Sequence, residues 1–334
     1  MVLVTDKKEC YHLAEEYFSS KKDCRILSKW EVKKTLNDFF EPDGYLFFKS
    51  DNNILPLVTK KNVCYFFGGD LPFNEENEAS TPPLSAAIQF LSKNNFLFKL
   101  TSINNDPIFH LKKDQKKIDV PFNQSWIYKN IVEFDETEFI ASQKKKKRDK
   151  LKSAKKLASN TQIITVSGLE YRSLYLDEAL VKTNDVFAQR GLVNCWKNKK
   201  QLLNKLFDGF VNEFPSFNRV FIDSQSKQMI ASYNMFLNED EIFLAFSNCF
   251  DFKKQNLQFA VYLDILKNAS SLTTSKNSYV NAGRGNFGYK KRMGFEPSPV
   301  YALVNHPEWK TQKDKDLTSE ETIALYKRDF GCFL

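Results

Sequence analysis

The strongest constraint on how this chain can fold is a duplicated order of elements. Short runs rich in Val, Ile, Phe and Tyr, GYLFFKS (44–50), NILPLVTK (53–60) and NVCYFFGG (62–69), read as strands; a helical SAAIQFLSKNN (85–95) and a further strand, FLFKLTSI (96–103), follow. The same order returns as RVFIDS (219–224), QMIASYNMFL (228–237), EIFLAFSN (241–248), NLQFAVYLDILKNASS (256–271) and SYVNA (278–282). The first two strands of each copy begin about 175 residues apart. Turn residues Asp51-Asn52-Asn53 and Ser224–Lys227 close the first hairpin of each. Leu257, Ala260, Val261, Leu263, Leu266 and Ala269 recur at helical spacing. Two α/β (α+β) domains are expected, each a mixed, mostly antiparallel sheet flanked by helices, and 334 residues suffice for two cores.

Helical stretches at Glu136–Ala158, Gly168–Gln189 and Lys197–Phe214, with the strand TQIITVSG (161–168), precede the second copy. The first copy has only 28–40 in their place, so it reads as a degenerate twin. The boundary falls near Phe134–Thr137, giving a domain over 1–135 and a fuller one over 136–334. VYALVNH (300–306) reads as the last strand of the second domain, and Thr318-Ser319-Glu320-Glu321 as the start of a closing helix.

Composition removes several function classes. No apolar run approaches the roughly 18 residues that span a bilayer, and the amino terminus lacks a signal pattern, so a cytoplasmic protein without a membrane span is expected. The six cysteines are scattered without a C-x-x-C pair, and His12, His110 and His306 lack metal-type spacing, so no metal site is expected. A Cys195–His306 nucleophilic pair stays open, with nothing local to support it. Lys144–Lys147, Arg148, Lys150, Lys152, Lys155 and Lys156 put nine cations into thirteen residues of a chain with net charge +8. The run is either a solvated helix face or an edge that attracts phosphates, as of tRNA, or an anionic surface.

Gly283-Arg284-Gly285-Asn286-Phe287-Gly288 satisfies G-x-G-x-x-G. The helix after it must end before Pro297, and too little chain remains for the parallel sheet of a dinucleotide fold. Gly283, Arg284 and Gly285 fit better as a strand exit where backbone approaches a ligand closely, with Lys290-Lys291-Arg292 behind it to hold an anion or a developing oxyanion.

This segment resembles the carboxy-terminal signature of the Fem-type peptidyltransferases and their BioF-two-like (CelD-type) acetyltransferase relatives. In that GNAT-fold family an aspartate-bearing strand leads to G-R-G and then to an aromatic-Lys-Lys-x-aromatic-Gly helix. Here the elements read Asn281, Gly283-Arg284-Gly285 and Tyr289-Lys290-Lys291-Arg292-Met293-Gly294. The likeness extends over the element order from residue 136 and, more weakly, over the twin. It implies tandem GNAT-like domains, a cytoplasmic N-acyltransferase, and Lys290 as the residue that stabilises the tetrahedral intermediate. Two departures stand out. Asn281 replaces the strand acid and would orient a ligand by hydrogen bonds instead of accepting a proton. The stretch 249–256, where a CoA-binding loop would carry glycines, has none, although Lys253 and Lys254 beside free helix N–H groups can bind phosphate.

The reaction so implied moves an acyl or aminoacyl group from acyl-CoA or aminoacyl-tRNA, as co-substrate, to an amine acceptor such as an amino sugar or cell-envelope precursor. In the GNAT arrangement two parallel strands, here 241–248 and 278–282, splay to hold the donor, which puts Ser247, Asn248 and Asn281 at the cleft. Acceptor contacts are expected from Arg190, Trp196 and Tyr233, although Arg190 also suits a surface ion pair and the two aromatics a core. The rival reading is a non-catalytic module of the same fold that binds RNA or an anionic surface through 144–156.

Overall fold

The computed structural model describes residues 2–4, 6–20, 25–50, 53–69, 81–103, 116–119, 125–189, 199–251, 256–283, 288–298 and 301–305. They form two units: one takes in the described residues up to Asp119 together with those from Ser298 on, the other Ser125–Pro297.

The first unit runs β1 (Val2–Val4), α1 (Lys7–Ser20), α2 (Trp30–Phe40), β2 (Gly44–Ser50), β3 (Asn53–Lys60), β4 (Val63–Phe66), α3 (Thr81–Lys93), β5 (Leu97–Ile103) and β6 (Lys116–Asp119). Its sheet has the order β1-β2-β3-β4-β5, then the strand Tyr301–Val304, then β6. Helix α3 carries the chain across, so β4 and β5 pair in parallel, while the other described pairs are antiparallel. Both faces of β2 are buried: Tyr45 and Phe47 meet Cys10, Ala14 and Phe18 of α1, and Leu46 and Phe48 meet Leu84, Ile88 and Leu91 of α3.

The second unit runs β7 (Ser125–Tyr128), α4 (Glu136–Ala141), α5 (Lys145–Ser159), β8 (Thr161–Val166), α6 (Gly168–Leu174), α7 (Leu176–Gln189), α8 (Lys200–Glu213), β9 (Ser216–Asp223), β10 (Met229–Asn238), β11 (Glu241–Cys249), α9 (Leu257–Ser271), β12 (Tyr279–Asn281), α10 (Gly288–Arg292) and β13 (Glu296–Ser298). The sheet order is β13-β7-β12-β11-β10-β9-β8. Strands β9 to β11 form an antiparallel meander, and β8, joined to β9 through α6 to α8, pairs antiparallel at its edge; α9 then crosses over, so β12 pairs with β11 in parallel. Helix α9 buries side chains on most of its circumference, from Leu257 to Ala269, because it lies between the sheet and α5. On the other face Phe207 and Phe210 of α8 pack on Phe236, and Tyr171 of α6 stacks on Phe207.

Both sheets are mixed, mostly antiparallel and flanked by helices, the tandem α/β class expected from the sequence. Local elements differ in instructive ways. The helix expected over Glu136–Ala158 is two, broken before α5, with Asp135 Oδ1 capping α4 at Glu138 N, 2.7 Å. The one over Gly168–Gln189 breaks at Tyr175, and a Ser167–Glu170 capping box starts α6. Residues 125–128, read as the end of the first domain, form β7 and pair with β12, Tyr128 opposite Val280. The strand Tyr301–Val304, expected in the second sheet, pairs with β5 and β6. The capping pattern at 318–321 lies outside the described residues. Among the described residues no helix is long and apolar enough to cross a membrane.

One turn in this unit tolerates only glycine. Gly294, just after α10, has φ +92°, and a Cβ there would stand 3.1 Å from Cε2 of Tyr128. Gly294→Ala is expected to cost about 1–2 kcal/mol, read as a lower urea midpoint with an unchanged m-value.

Candidate active site

The candidate site lies where β11 outruns β12. The parallel ladder between β11 and β12 runs only from Glu241–Tyr279 to Phe243–Asn281, and β11 continues to Cys249 while β12 stops. Burial along β11 changes accordingly, from buried over 241–244 to half-buried over 245–249. Strand β12 stops because Asn281 Oδ1 accepts the N–H of Gly283 at 3.0 Å, an Asx turn, and Gly283 sits at φ +63°. From the other side β7 clamps the turn: Ala282 N–H donates to Trp126 O at 2.8 Å, and Trp126 N–H to Gly283 O at 3.1 Å.

Lys290 comes back to this turn from α10. Its ammonium donates to Ala282 O at 2.8 Å and to Gly283 O at 3.4 Å, and the residue is only 3% exposed. Burial pushes its pKa from 10.5 down to about 7, because a desolvated ammonium is disfavoured. Asn281 is buried as well, and its Nδ2 donates to Glu241 Oε1 at 2.8 Å. The site thus holds a buried carboxylate, a carboxamide, a sharp turn and a buried lysine in succession.

Ser247 and Asn248 lie on the part of β11 beyond the ladder, opposite Tyr233 and Ser232 of β10. Ser247 hydrogen-bonds the buried Tyr262 hydroxyl, which also bonds Tyr289, and the two tyrosine rings meet edge-on at 5.1 Å. Burial, and then Tyr289, hold the Tyr262 phenol well above its ordinary pKa of 10, so it stays a neutral donor. On the opposite face Ser232 Oγ lies 2.8 Å from the Tyr171 hydroxyl.

Tyr233 is fully buried and gives its hydroxyl to Asp264 Oδ2 at 2.7 Å; Asn268 Nδ2 donates to that hydroxyl at 3.2 Å. Asp264 also takes Arg219 bidentately, at 3.1 Å on each oxygen. Of its two sequence readings, burial favours the core aromatic. Arg190, Trp196, Lys253, Lys254, Arg284 and Gly285 lie outside the described residues. The basic run is mostly exposed on α5, and Lys155 pairs with Glu136 at 3.3 Å. Its half-buried Lys147 stands over the Phe139 ring, and its pKa is lowered by burial and then by the nearby charge of Arg292. The basic helix therefore reaches the segment that carries Lys290. It also touches the start of α9, where Asn256 Nδ2 meets Ser153 Oγ at 3.3 Å.

Sequence reasoning joined Asn281, Gly283 and Lys290, and the structure brings them into contact. It missed Glu241 and Tyr262, and named Tyr289 only as an aromatic of the signature; a lone Glu at the head of the apolar run IFLAF was the available signal for the first.

No family model matches the chain, and no curated protein is significantly similar to it in sequence. Solved structures are similar in fold. FemX superposes with a TM-score of 0.51 at 10% identity, over 93% of this chain and all of that one (100%). The chain shares the FemX fold. A domain named as the C-terminal part of a lysylphosphatidylglycerol synthetase from Agrobacterium fabrum matches at TM-score 0.54 and 9% identity, over 97% of this chain and 96% of its own. L-PGS from Bacillus licheniformis gives 0.50 at 11% identity, over 91% and 92%. The Fem-type resemblance seen in residues 279–294 thus extends to the fold of the chain.

Proposed function

We propose that this protein is a GNAT-type N-acyltransferase that moves an acyl or aminoacyl group from a thioester or ester donor to an amine. The observation that carries this reading is the end of the β11–β12 ladder at Phe243–Asn281, with the buried Lys290 held by the Ala282 and Gly283 carbonyls just past it. Beyond Phe243 β11 runs past the end of its ladder with β12, and this half-buried stretch, which carries Ser247 and Asn248, is where a donor would lie alongside as an added strand would. The acceptor nitrogen attacks the donor carbonyl carbon, and a tetrahedral oxyanion forms. The C–S or C–O bond then breaks, the leaving thiol or hydroxyl takes up a proton, and the amine loses one. Lys290 in its charged form supplies a preorganised positive charge for the oxyanion, in a site where desolvation strengthens it.

Both acyl-CoA and aminoacyl-tRNA carry phosphates, and the cations of α5 with Arg292 offer them a common approach. The glycine-free stretch before α9 and the cation run on α5 favour aminoacyl-tRNA of the two. Acceptors fitting the fold's resemblance are amino sugars and cell-envelope precursors. A thermal-shift series with acyl-CoAs, aminoacyl-tRNA and nucleotide-linked amino sugars tests this, followed by a labelled-donor transfer assay. A donor at one hundred times its Kd should contribute about 2.7 kcal/mol of apparent stability. Stabilisation by uncharged tRNA alone, with no transfer from any donor, would instead support a polyanion-binding module.

A further inference from the structure

We propose that Glu241 is a positioning residue for Lys290, acting through the orientation of the Asn281 carboxamide. The role rests on the reading of Lys290 given above, but the contacts that support it do not. Parallel pairing sets Glu241 beside Tyr279 and Phe243 beside Asn281, so the Glu241 side chain reaches along the ladder to the Asn281 amide. Glu241 is 1% exposed, and a carboxylate buried there costs several kcal/mol that hydrogen bonds such as the one from Asn281 Nδ2 must offset.

A carboxylate only accepts, so Glu241 Oε1 obliges Asn281 to present Nδ2, which leaves Oδ1 facing the Gly283 N–H. Rotated by half a turn, the amide would point its own donors at that N–H and the Asx turn would open. The turn in question directs the Ala282 and Gly283 carbonyls at the Lys290 ammonium. Glu241, Asn281, Gly283 and Lys290 therefore form one sequence of contacts in which the charge at one end sets the geometry at the other. On the functional reading above Lys290 is the group that would meet the oxyanion, and Glu241 works at one remove.

The pair can be exchanged. In the Glu241→Gln, Asn281→Asp double variant, the carboxamide now at position 241 donates to one carboxylate oxygen of position 281 while the other still accepts the Gly283 N–H. Asn281→Asp alone sets two carboxylates against each other, and Glu241→Gln alone lets the amide settle either way. The readout is the rate at which an amine-selective reagent labels Lys290 at pH 8, followed by peptide mass spectrometry on the intact folded chain. Asn281→Asp should speed labelling about tenfold or more and Glu241→Gln about threefold, with the double variant slower than Asn281→Asp by at least threefold. A double variant that labels as fast as Asn281→Asp would overturn the proposal. So would a folded Glu241→Gln chain with native labelling, which decides the matter even if Asn281→Asp fails to fold. Labelling needs no transfer activity: if the cycle closes and no donor is ever turned over, the positioning stands and the enzymatic reading falls.

Discussion

Replacing Lys290 with Met should abolish acyl transfer and at the same time stabilise the protein at pH 6 by about 3 kcal/mol. The lysine is buried, and its folded pKa of about 7 lies below its ordinary 10.5. The unfolded chain therefore holds a proton that the folded chain has lost between pH 7 and 10.5, and native stability rises with pH across that window. Below pH 7 both states are protonated and the full desolvation cost is present, on the order of 5 kcal/mol. Above 10.5 neither carries the charge and the cost vanishes. Met removes this cost but leaves Ala282 O without its ammonium donor, an offset of about 1–3 kcal/mol. Urea denaturation at pH 6 and at pH 10 checks the sign, since the gain of the Met variant should shrink towards zero at the higher pH. A gain that stayed constant with pH would mean the ammonium is not desolvated. A loss of transfer of about a thousandfold is expected for an oxyanion contact. A buried ionisable group that costs stability marks a candidate functional site, and this one lies against the turn that ends β12.

The second large effect lies on the other side of β10. Asp264→Ala should destabilise the second unit by about 3 kcal/mol, because it leaves the Arg219 guanidinium and the Tyr233 hydroxyl without their shared acceptor. The Arg219 and Asp264 side chains are 19% and 14% exposed, which is sheltered enough for the loss of one partner to be felt. Tyr233→Phe removes a single hydrogen bond and should cost nearer 1 kcal/mol. Chemical denaturation monitored by tryptophan fluorescence separates the two. Near-native stability of the Ala variant would show that solvent replaces Asp264 at no cost.

The parts of this architecture that could be read from the residues are those in which neighbours in sequence are neighbours in space. The hairpins of β9 to β11, the apolar spacing of α9, and the turn that joins Asn281, Gly283 and Lys290 within ten residues are all local. Glu241 meets Asn281 across forty residues, through a parallel register that no hairpin rule can set. The Tyr262–Tyr289–Ser247 contacts likewise depend on how a crossover helix lies on its sheet. Tyr233 shows the converse. A tyrosine on a central strand suits a cleft or a core equally well until its hydroxyl partner, midway along a distant helix, is known. The same limit explains the misplaced strands. Residues 125–128 and 301–304 have strand composition, but which sheet accepts them is decided by open edges elsewhere.

The strand Tyr301–Val304 lies between β5 and β6 although both are made far earlier in the chain. During synthesis, the sheet that starts at the amino terminus stays open at that place until the ribosome has passed residue 304. The unit of Ser125–Pro297 carries its whole core within one uninterrupted segment and can form while its elder waits. The later-made half of the duplication is thus free to mature first. A released chain truncated after residue 297 should already protect the turn at Asn281 from proteolysis, while β5 and β6 remain open to strand capture by another copy.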